Sequence, residues 1–270
     1  MEPASKMVEN LPSELPHISV VIPAHNEAKN LPYVLLLIPG WVHEIILVDD
    51  HSTDNTVEVA RRLFPSIRIT RTQHKCGKGE ALRVGFAAAT SDIIVMMDAD
   101  GSSDPREIPR FIEALMAGAY FATGSRFIDG GGSTDITHLR RFGAHMLISI
   151  TNRLFRAHFT DMFCGLNAFW KDCLNFFEID CEGFDVETLL ILRACKANLE
   201  IVGVPSHEHA RIHGTTHFRT FRDGWRVLMM IVKEWMKGRS VVGTIKIHHP
   251  TQQDNGEWGG LYIWQSRAMR

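Results

Sequence analysis

Two acidic residues, Asp98 and Asp100, are the part of the sequence whose type and spacing most directly suggest chemistry. They follow four apolar residues, 93–96, which are typical of a strand buried on both faces. A pair of carboxylates at the end of a buried strand is costly unless a positive group lies beside it. Hard oxygen ligands at this spacing suit Mg²⁺ or Mn²⁺, bound together with a phosphate-bearing substrate. A turn followed by a helix cap is the alternative that this motif alone leaves open.

Other polar residues stand next to neighbouring predicted elements. Asp49 and Asp50 close the second predicted strand, and two adjacent acids favour a ligand over simple turn formation. The run Gly77-Lys78-Gly79 precedes a predicted helix. Its glycines let the backbone approach a nucleotide, and Lys78 can balance phosphate charge. A solvated turn is the alternative for this run.

Alternating strands and helices must hold these residues in place. Acids or glycines repeatedly follow the strands, as in a doubly wound parallel sheet whose ligands gather beyond the carboxyl ends of the strands. The Gly-x-Gly-x-x-Gly turn of dinucleotide-binding sheets is missing, which disfavours a dinucleotide. The predicted strands cover 17–22, 44–48, 67–70, 93–96 and 120–123, and the predicted helices cover 30–38, 56–63, 80–89 and 105–116.

The second half of the chain is less regular. We expect helices over 137–155, 186–197 and 219–237, with strands over 160–170 and 200–204. The apolar face of the first of these helices is marked at helical spacing by Leu139, Phe142, Met146 and Ile150. The last helix is basic and amphipathic, so it either lies on an anionic membrane surface or covers the sheet.

Composition indicates an ordinary globular protein. Its 270 residues are 45% hydrophobic and 22% charged, and the net charge of −2 argues against nucleic-acid binding. Five cysteines without a Cys-x-x-Cys pair favour reduced thiols in the cytoplasm. The first residues do not resemble a signal peptide, and no apolar run approaches the roughly 20 residues of a membrane span. We expect a flexible segment 1–16, a domain 17–238 with halves 17–127 and 128–238, and a poorly ordered tail 239–270.

Seven short motifs occur in order on the expected elements. Four lie in the first half: Val-Ile-Pro23-Ala-His-Asn26-Glu27, Val-Asp49-Asp50-His-Ser-Thr-Asp54, Gly77-Lys78-Gly79-Glu-Ala81 and Asp98-Ala-Asp100. They resemble family 2 glycosyltransferases of the GT-A fold, a Rossmann-like, mainly parallel sheet flanked by helices. Three more resemble the branch that contains dolichyl- and polyprenyl-phosphate sugar synthases: Gly124-Ser125-Arg126-Phe127, Asp161-Met-Phe-Cys-Gly165 and Phe184-Asp-Val-Glu187-Thr-Leu. The resemblance covers about residues 17–237.

This resemblance implies a nucleotide-sugar site. The carboxylates would accept hydrogen bonds from the base and the ribose, and Asp98 and Asp100 would hold Mg²⁺ or Mn²⁺ at the diphosphate, which makes Asp100 a catalytic residue. The implied nucleotide-sugar contacts are Pro23, Asn26, Glu27, Asp49, Asp50, Lys78, Gly79, Asp98 and Arg211.

The same resemblance implies roles near the acceptor. Arg126 is a candidate for binding the acceptor or donor phosphate. Asp161 is the expected general base if the acceptor is a hydroxyl, whereas it would orient other groups if the acceptor is a phosphate, which is already an anion. Glu187 is either part of this site or an ordinary helix acid. A basic loop over 211–218 would close on the phosphates.

Two positions depart from the family pattern. His51 stands where glycine is usual, at a position that we expect to need a positive φ. The run 215–218 reads Thr-Thr-His-Phe where the polyprenyl-phosphate branch often carries Ser-Lys. The missing lysine leaves the acceptor open.

The resulting hypothesis is a metal-dependent, inverting transfer of a hexose from a UDP-sugar to polyprenyl phosphate. It places the protein at the cytoplasmic membrane face, with peripheral membrane contact and no nucleic acid, and it leaves a homo-oligomer open. The first alternative is the same reaction on a small soluble acceptor. Two further alternatives rank below it. A sugar-phosphate nucleotidyltransferase is disfavoured because its sequence signature is absent. A non-catalytic nucleotide-sugar binding module is disfavoured because the Asp98 and Asp100 pair is present.

Overall fold

The computed structural model describes residues 16–181, 183, 185–214, 220–238 and 262–264. Its strands are β1 (Ile18–Ala24), β2 (Glu44–Asp49), β3 (Arg68–Arg71), β4 (Ile93–Met96), β5 (Phe121–Ser125), β6 (Gly132–Ser133), β7 (Asn167–Trp170), β8 (Ile201–Pro205), β9 (His207–Glu208) and β10 (Tyr262–Trp264). The α-helices are α1 (Leu31–Leu35), α2 (Thr56–Leu63), α3 (Lys78–Ala88), α4 (Ile108–Met116), α5 (His138–Phe155), α6 (Val186–Lys196) and α7 (Thr220–Met236), and short 3-10 helices cover Pro105–Glu107 and Lys171–Phe176.

Eight strands form one mixed sheet in the order β10-β8-β5-β7-β4-β1-β2-β3. Strands β1 to β4 are parallel to their neighbours within this group, and β5 pairs in parallel with β8. Strand β7 is antiparallel between β4 and β5, and β10 is antiparallel to β8. Strands β6 and β9 form a separate parallel pair. The two predicted halves of the domain therefore share one sheet, and the predicted α/β class is confirmed.

The centre of the sheet is apolar on both faces, as the residues of β4 predict. All four side chains of β4 are buried. Helix α3 covers β1 and β2 at Gly85, where an added Cβ would collide with the side chains of Val21 and Val48. On the neighbouring strands β5 and β7, the rings of Phe121 and Phe169 stack with centroids 5.5 Å apart. This packing fixes the strand ends from which the polar residues project.

Helix α5 turns a different side to the core from the one marked by its largest apolar residues. Leu139, Phe142 and Met146 are 55%, 70% and 48% exposed. The buried side consists of smaller and branched residues: Ala144, Leu147, Ile148 and Thr151. Apolar residues therefore occupy two sides of this helix. The side with the smaller and branched residues packs against the core, and the side with the larger residues is exposed.

Two further expectations differ from the structure or lie outside it. The predicted strand 160–170 is a strand only over Asn167–Trp170, because the preceding residues form a loop held by the buried carboxylate of Asp161. Within the tail 239–270, Tyr262–Trp264 pairs with β8. The rest of that tail, residues 1–15, Phe184 and the loop 215–219 lie outside the described residues.

Candidate active site

The carboxyl ends of three adjacent strands bring acidic residues to one edge of the sheet. Glu27 follows β1, Asp49 ends β2, and Asp98 and Asp100 follow β4. Because β1 lies between β2 and β4, these acids share the same edge. We call this group of four the acidic edge. Pro23, the first residue of the predicted nucleoside pocket, is half-buried near the end of β1.

Asp50 organises the loop that leads to α3. Its carboxylate accepts hydrogen bonds from the Thr72 hydroxyl at 2.8 Å and from the backbone N–H groups of Cys76 and Gly77 at 3.0 and 2.9 Å. Burial alone would raise the pKa of Asp50, but these hydrogen bonds outweigh it and hold the pKa below its usual value. Asp50 thus positions the residues around Lys78 as well as any ligand.

Asp49 and His51 shape the turn after β2. Asp49 accepts the backbone N–H of Ser52 at 2.9 Å and pairs with Nε of Arg71 at 3.0 Å. His51 has φ of +58°, in the left-handed region. The expectation that this glycine position of the family needs a positive φ is therefore confirmed, and His51 meets it.

Asn26 and Glu27 connect β1 to the neighbouring turns. The side-chain carbonyl of Asn26 accepts the backbone N–H of Thr53 at 2.7 Å. Glu27 accepts a hydrogen bond from the Asn30 amide at 2.5 Å and forms an ion pair with Arg211. Burial raises the pKa of Glu27, although both partners act in the opposite direction.

Lys78 links the acidic edge to α6. Its ammonium group pairs with both Asp98 and Glu187, and the side chains of Lys78 and Glu187 are almost fully buried. Burial would lower the pKa of Lys78, but the two carboxylates raise it well above its usual value. Lys78 is therefore a fixed positive charge beside Asp98. Gly79, next to it, is buried in the first turn of α3.

A short strap, residues 209–214, lies over Asp100. Arg211 pairs with Glu27 and, through Nη1, with Asp100 at 3.4 Å. The backbone N–H of Ile212 donates to the carbonyl of Asp100 at 3.2 Å, and that of His213 donates to Asn30 at 2.9 Å. Residues 211–214 of the strap are the described part of the predicted phosphate-closing loop 211–218, and they place a guanidinium group at the acidic edge.

Asp98 and Asp100 are the carboxylates of the acidic edge that could hold a hard divalent cation. Their side chains remain 26% and 22% exposed, and each carboxylate carries one cationic partner. Lys78 is buried, whereas the Arg211 side chain is 22% exposed and belongs to the strap. Carboxylate oxygens of this kind fit Mg²⁺ or Mn²⁺ shared with substrate phosphates. The described part of the chain contains no cluster of three or more His, Cys, Asp or Glu side chains arranged to hold a metal ion.

Arg126 and Asp161 form a buried pair at the end of β5. Two nitrogens of Arg126 donate to the two oxygens of Asp161 at 2.7 and 3.0 Å, and a third donates to Glu208 at 2.9 Å. The Asp161 side chain is 0% exposed and also accepts backbone N–H groups. Asp161 is therefore engaged as the partner of Arg126 and does not face solvent.

The sequence of this chain is similar to those of known proteins. The sequence model of the family "Glycosyl transferase family 2" matches residues 19–177. The chain belongs to this family. A dolichol-phosphate mannosyltransferase of Pyrococcus furiosus is 31% identical over 225 residues, which are 78% of this chain and 63% of that protein. A polyprenol monophosphomannose synthase of Mycolicibacterium smegmatis is 30% identical over 237 residues, which are 82% and 87% of the two chains. The chain thus spans less than two thirds of the Pyrococcus relative.

The fold of this family 2 chain also matches solved structures. Glucosyl-3-phosphoglycerate synthase from Mycobacterium tuberculosis, crystallised with Mn²⁺, UDP and glucosyl-3-phosphoglycerate, superimposes with a TM-score of 0.61 at 21% identity. The match covers 85% of this chain and 82% of that one. The predicted GT-A fold and the predicted family are therefore confirmed.

The structure brings together most of the residues that the sequence singles out in this family 2 chain. Ion pairs join them in two groups: Lys78 pairs with Asp98, and Arg211 pairs with both Glu27 and Asp100. Their roles toward a nucleotide sugar remain predictions. Sequence reasoning missed that Glu187 contacts Lys78 and that Glu208 contacts Arg126, since no local pattern links residues so far apart in the chain.

Gly165 offers a test of how accurately Asp98 must be placed. An added Cβ at Gly165 would collide with a carboxylate oxygen of Asp98. We expect Gly165→Ala to displace that carboxylate and to lower kcat/KM about 10²-fold, the effect of a shift of about 1 Å in a site. Steady-state kinetics checks this. Gly143→Ala in α5 is the matched control, because nothing lies within 4 Å of its added Cβ. Equal activity of the two variants would show that the position of Asp98 does not matter.

Proposed function

We propose that this chain is a metal-dependent, inverting glycosyltransferase that moves a hexose from a nucleoside-diphosphate sugar to polyprenyl phosphate. The two relatives named above support the lipid-phosphate acceptor, and their names make mannose the first sugar to test. The fold neighbour crystallised with Mn²⁺ and UDP supports a UDP-sugar and a divalent cation. Family membership favours a transferase over a nucleotidyltransferase or a binding module.

The engagement of Asp161 is the observation that carries the choice of acceptor. A hydroxyl acceptor must lose a proton to a base, whereas a phosphate acceptor is already an anion. Asp161, the expected base, has its side chain 0% exposed and saturated by Arg126 and by backbone donors. Its arrangement supports the orienting role that a phosphate acceptor requires.

The residues then divide the reaction between donor and acceptor. An oxygen of the acceptor phosphate attacks the anomeric carbon as the bond to the donor diphosphate breaks, which inverts the configuration. Lys78 balances the charge of Asp98, and Arg211 can exchange Asp100 for a phosphate oxygen. Arg126 can bind the acceptor phosphate if Glu208, its more exposed partner, gives way. When bound at Asp98 and Asp100, Mg²⁺ or Mn²⁺ would stabilise negative charge on the departing diphosphate.

A lipid acceptor also calls for contact with a membrane. None of the described helices combines the length and apolar composition that crossing a bilayer requires. Helices α5 and α7 pack against each other, and both expose large apolar side chains. These are Leu139, Phe142 and Met146 on α5, and Phe221, Trp225 and Met229 on α7. We propose that they rest on the cytoplasmic membrane face. All five cysteines are free thiols, as that reducing compartment requires.

Vesicle binding tests this surface. We expect Phe142→Ser combined with Trp225→Ser to reduce sedimentation with vesicles of phosphatidylcholine and phosphatidylglycerol at least tenfold, since burying each ring contributes about 1.5–3 kcal/mol. Both side chains are mostly exposed, so the fold should be kept. Leu36→Ser, an equally exposed change beyond α1, is the control and should bind like the wild type. Equal binding by all three proteins would exclude α5 and α7 as the membrane surface.

A donor and acceptor screen tests the proposed reaction. We would measure the nucleoside diphosphate released from UDP- and GDP-linked hexoses with Mg²⁺ or Mn²⁺. Polyprenyl phosphate, 3-phosphoglycerate and buffer would be compared as acceptors, because the fold neighbour favours a soluble phosphate as second candidate. The proposal requires release that depends on polyprenyl phosphate. Release with 3-phosphoglycerate alone would favour the second candidate, and no release with any donor would refute both.

A further inference from the structure

A separate cavity lies at the opposite end of α6 from Glu187. It has a volume of about 250 Å³ and lies between the ends of α6 and α7 and the segment that follows β7. None of its lining residues belongs to the acidic edge or to the Arg126–Asp161 pair. They are Asn175, Phe176, Glu178, Arg193, Lys196, Ala197, Glu234 and Lys237.

Three cationic side chains of this wall converge on one buried acid, Glu234. Lys196 and Lys237 donate to its carboxylate at 3.0 and 2.8 Å, and Arg193 lies at 3.3 Å. Burial would raise the pKa of Glu234, but these hydrogen bonds and charges lower it to about 2. The wall thus already binds one carboxylate that the chain itself supplies.

One buried donor of this wall lacks an acceptor. Arg193 is 7% exposed, and its Nη1 is buried with no hydrogen-bond partner among the described residues. Its Nη2 donates to the carboxylate of Asp180 at 2.7 Å and to that of Glu234. A buried donor that lacks an acceptor destabilises the folded protein. A cluster that served only to join α6 to α7 would gain nothing from such an unpaired donor.

The charges of the wall point in the same direction. Four cations meet here, because Lys233 also pairs with Asp180 at 3.5 Å. The acids are Glu178 in the wall, Asp180 and Glu234, so one positive charge is left over. An anion with several oxygen atoms would complete the donors of Arg193 and offset this charge.

We propose that this cavity binds a phosphate group, held by Arg193, Lys196 and Lys237. Arg193 and Lys196 would form the buried part of the site, and the Arg193 guanidinium would have to turn for Nη1 to reach the ligand. Lys237, whose side chain is 40% exposed, stands at the entrance. The exposed side chains of Trp235 and Met236 lie next to it in sequence. A free phosphate compound and the headgroup of an anionic lipid therefore present the same chemistry to this site.

Phosphate binding to matched variants tests the site. We would measure binding of inorganic phosphate by calorimetry and by the rise in melting temperature. Lys237→Gln should weaken the affinity about tenfold, the loss of one charge-assisted hydrogen bond. Arg83→Gln removes an exposed cation on α3 that pairs with Glu80 and should change nothing. Arg211→Gln removes the phosphate-binding candidate of the acidic edge, so phosphate bound there is lost in this variant while the binding that depends on Lys237 remains.

Vesicles distinguish the two sources of phosphate. Vesicles with phosphatidic acid that bind more tightly than phosphatidylglycerol vesicles of equal charge, in a manner that requires Lys237, would identify a lipid headgroup. Binding of inorganic phosphate alone, with the same requirement, would identify a soluble ligand. Wild-type protein that binds neither probe, or Lys237→Gln protein that binds both as well as the wild type, would overturn the site. Because Arg211→Gln is measured in parallel, this outcome is distinct from a failure of the proposed reaction.

Discussion

Replacing Asp100 by asparagine is expected to lower kcat/KM about 10³-fold while leaving the fold intact. The substitution keeps the size of the side chain and removes the charge that would hold a cation at the donor diphosphate, which contributes several kcal/mol to such reactions. Each 1.4 kcal/mol corresponds to a factor of ten in rate. The side chain is partly exposed and its ion pair with Arg211 is long, so stability should change little. Initial rates of nucleoside diphosphate release measure the effect.

Asp104 supplies the matched control for this substitution. Its side chain accepts the backbone N–H of Arg106 at 2.9 Å and caps the 3-10 helix that follows. Asparagine caps helices about as well as aspartate. Asp104→Asn therefore makes the same chemical change four residues away and should keep wild-type activity. Equal losses in the two variants would mean that Asp100 has no special part in the reaction.

Asp161→Asn is expected to destabilise the protein by about 3–5 kcal/mol, because it leaves the buried charge of Arg126 without its main partner. Urea unfolding followed by circular dichroism measures this change. Adding Arg126→Met to the same chain removes the unpaired charge and should recover a large part of the loss. If Asp161→Asn alone were as stable as the wild type, the buried ion pair would not be the reason for this residue.

The same variant separates the two roles considered for Asp161. A residue that orients Arg126 should leave the shape of the pH–rate profile unchanged in Asp161→Asn, measured at a temperature where the variant is folded. If Asp161 acts as a general base, the substitution should instead remove the rise of the pH–rate profile at low pH. Loss of that rise would favour a hydroxyl acceptor and contradict the proposed phosphate acceptor.

The sequence was a good guide to elements whose local signals agree. Four consecutive apolar residues define β4 with the predicted bounds. A strand buried on both faces is a continuous apolar run, which can be identified without knowing its neighbours in the sheet. Helix α2 likewise spans the predicted residues. The positive φ of His51 followed from the family pattern and the turn chemistry. The positions of Asp98 and Asp100 at the sheet edge followed from the alternation of strands and helices.

Contacts between distant parts of the chain were beyond such reasoning. The ion pair of Lys78 with Glu187 joins the start of α3 to the start of α6, and only the packed fold makes it. Asp49 and Asp50 were expected to bind a ligand. In the structure, Asp49 pairs with Arg71, and Asp50 accepts a hydrogen bond from the backbone N–H of Gly77. On α5, residue size and spacing could not decide which of two apolar sides faces inward, since that depends on the surface it meets.

Binding of Mn²⁺, measured by calorimetry with and without UDP or GDP, tests the central claim most directly. If Asp98 and Asp100 hold a cation jointly with the diphosphate of the donor, one of these nucleotides should tighten Mn²⁺ binding to the wild type. Asp98→Asn combined with Asp100→Asn should abolish that effect. Nucleotide binding to the wild type that is as tight with EDTA as with Mn²⁺, or Mn²⁺ binding unchanged in the double variant, would contradict the claim.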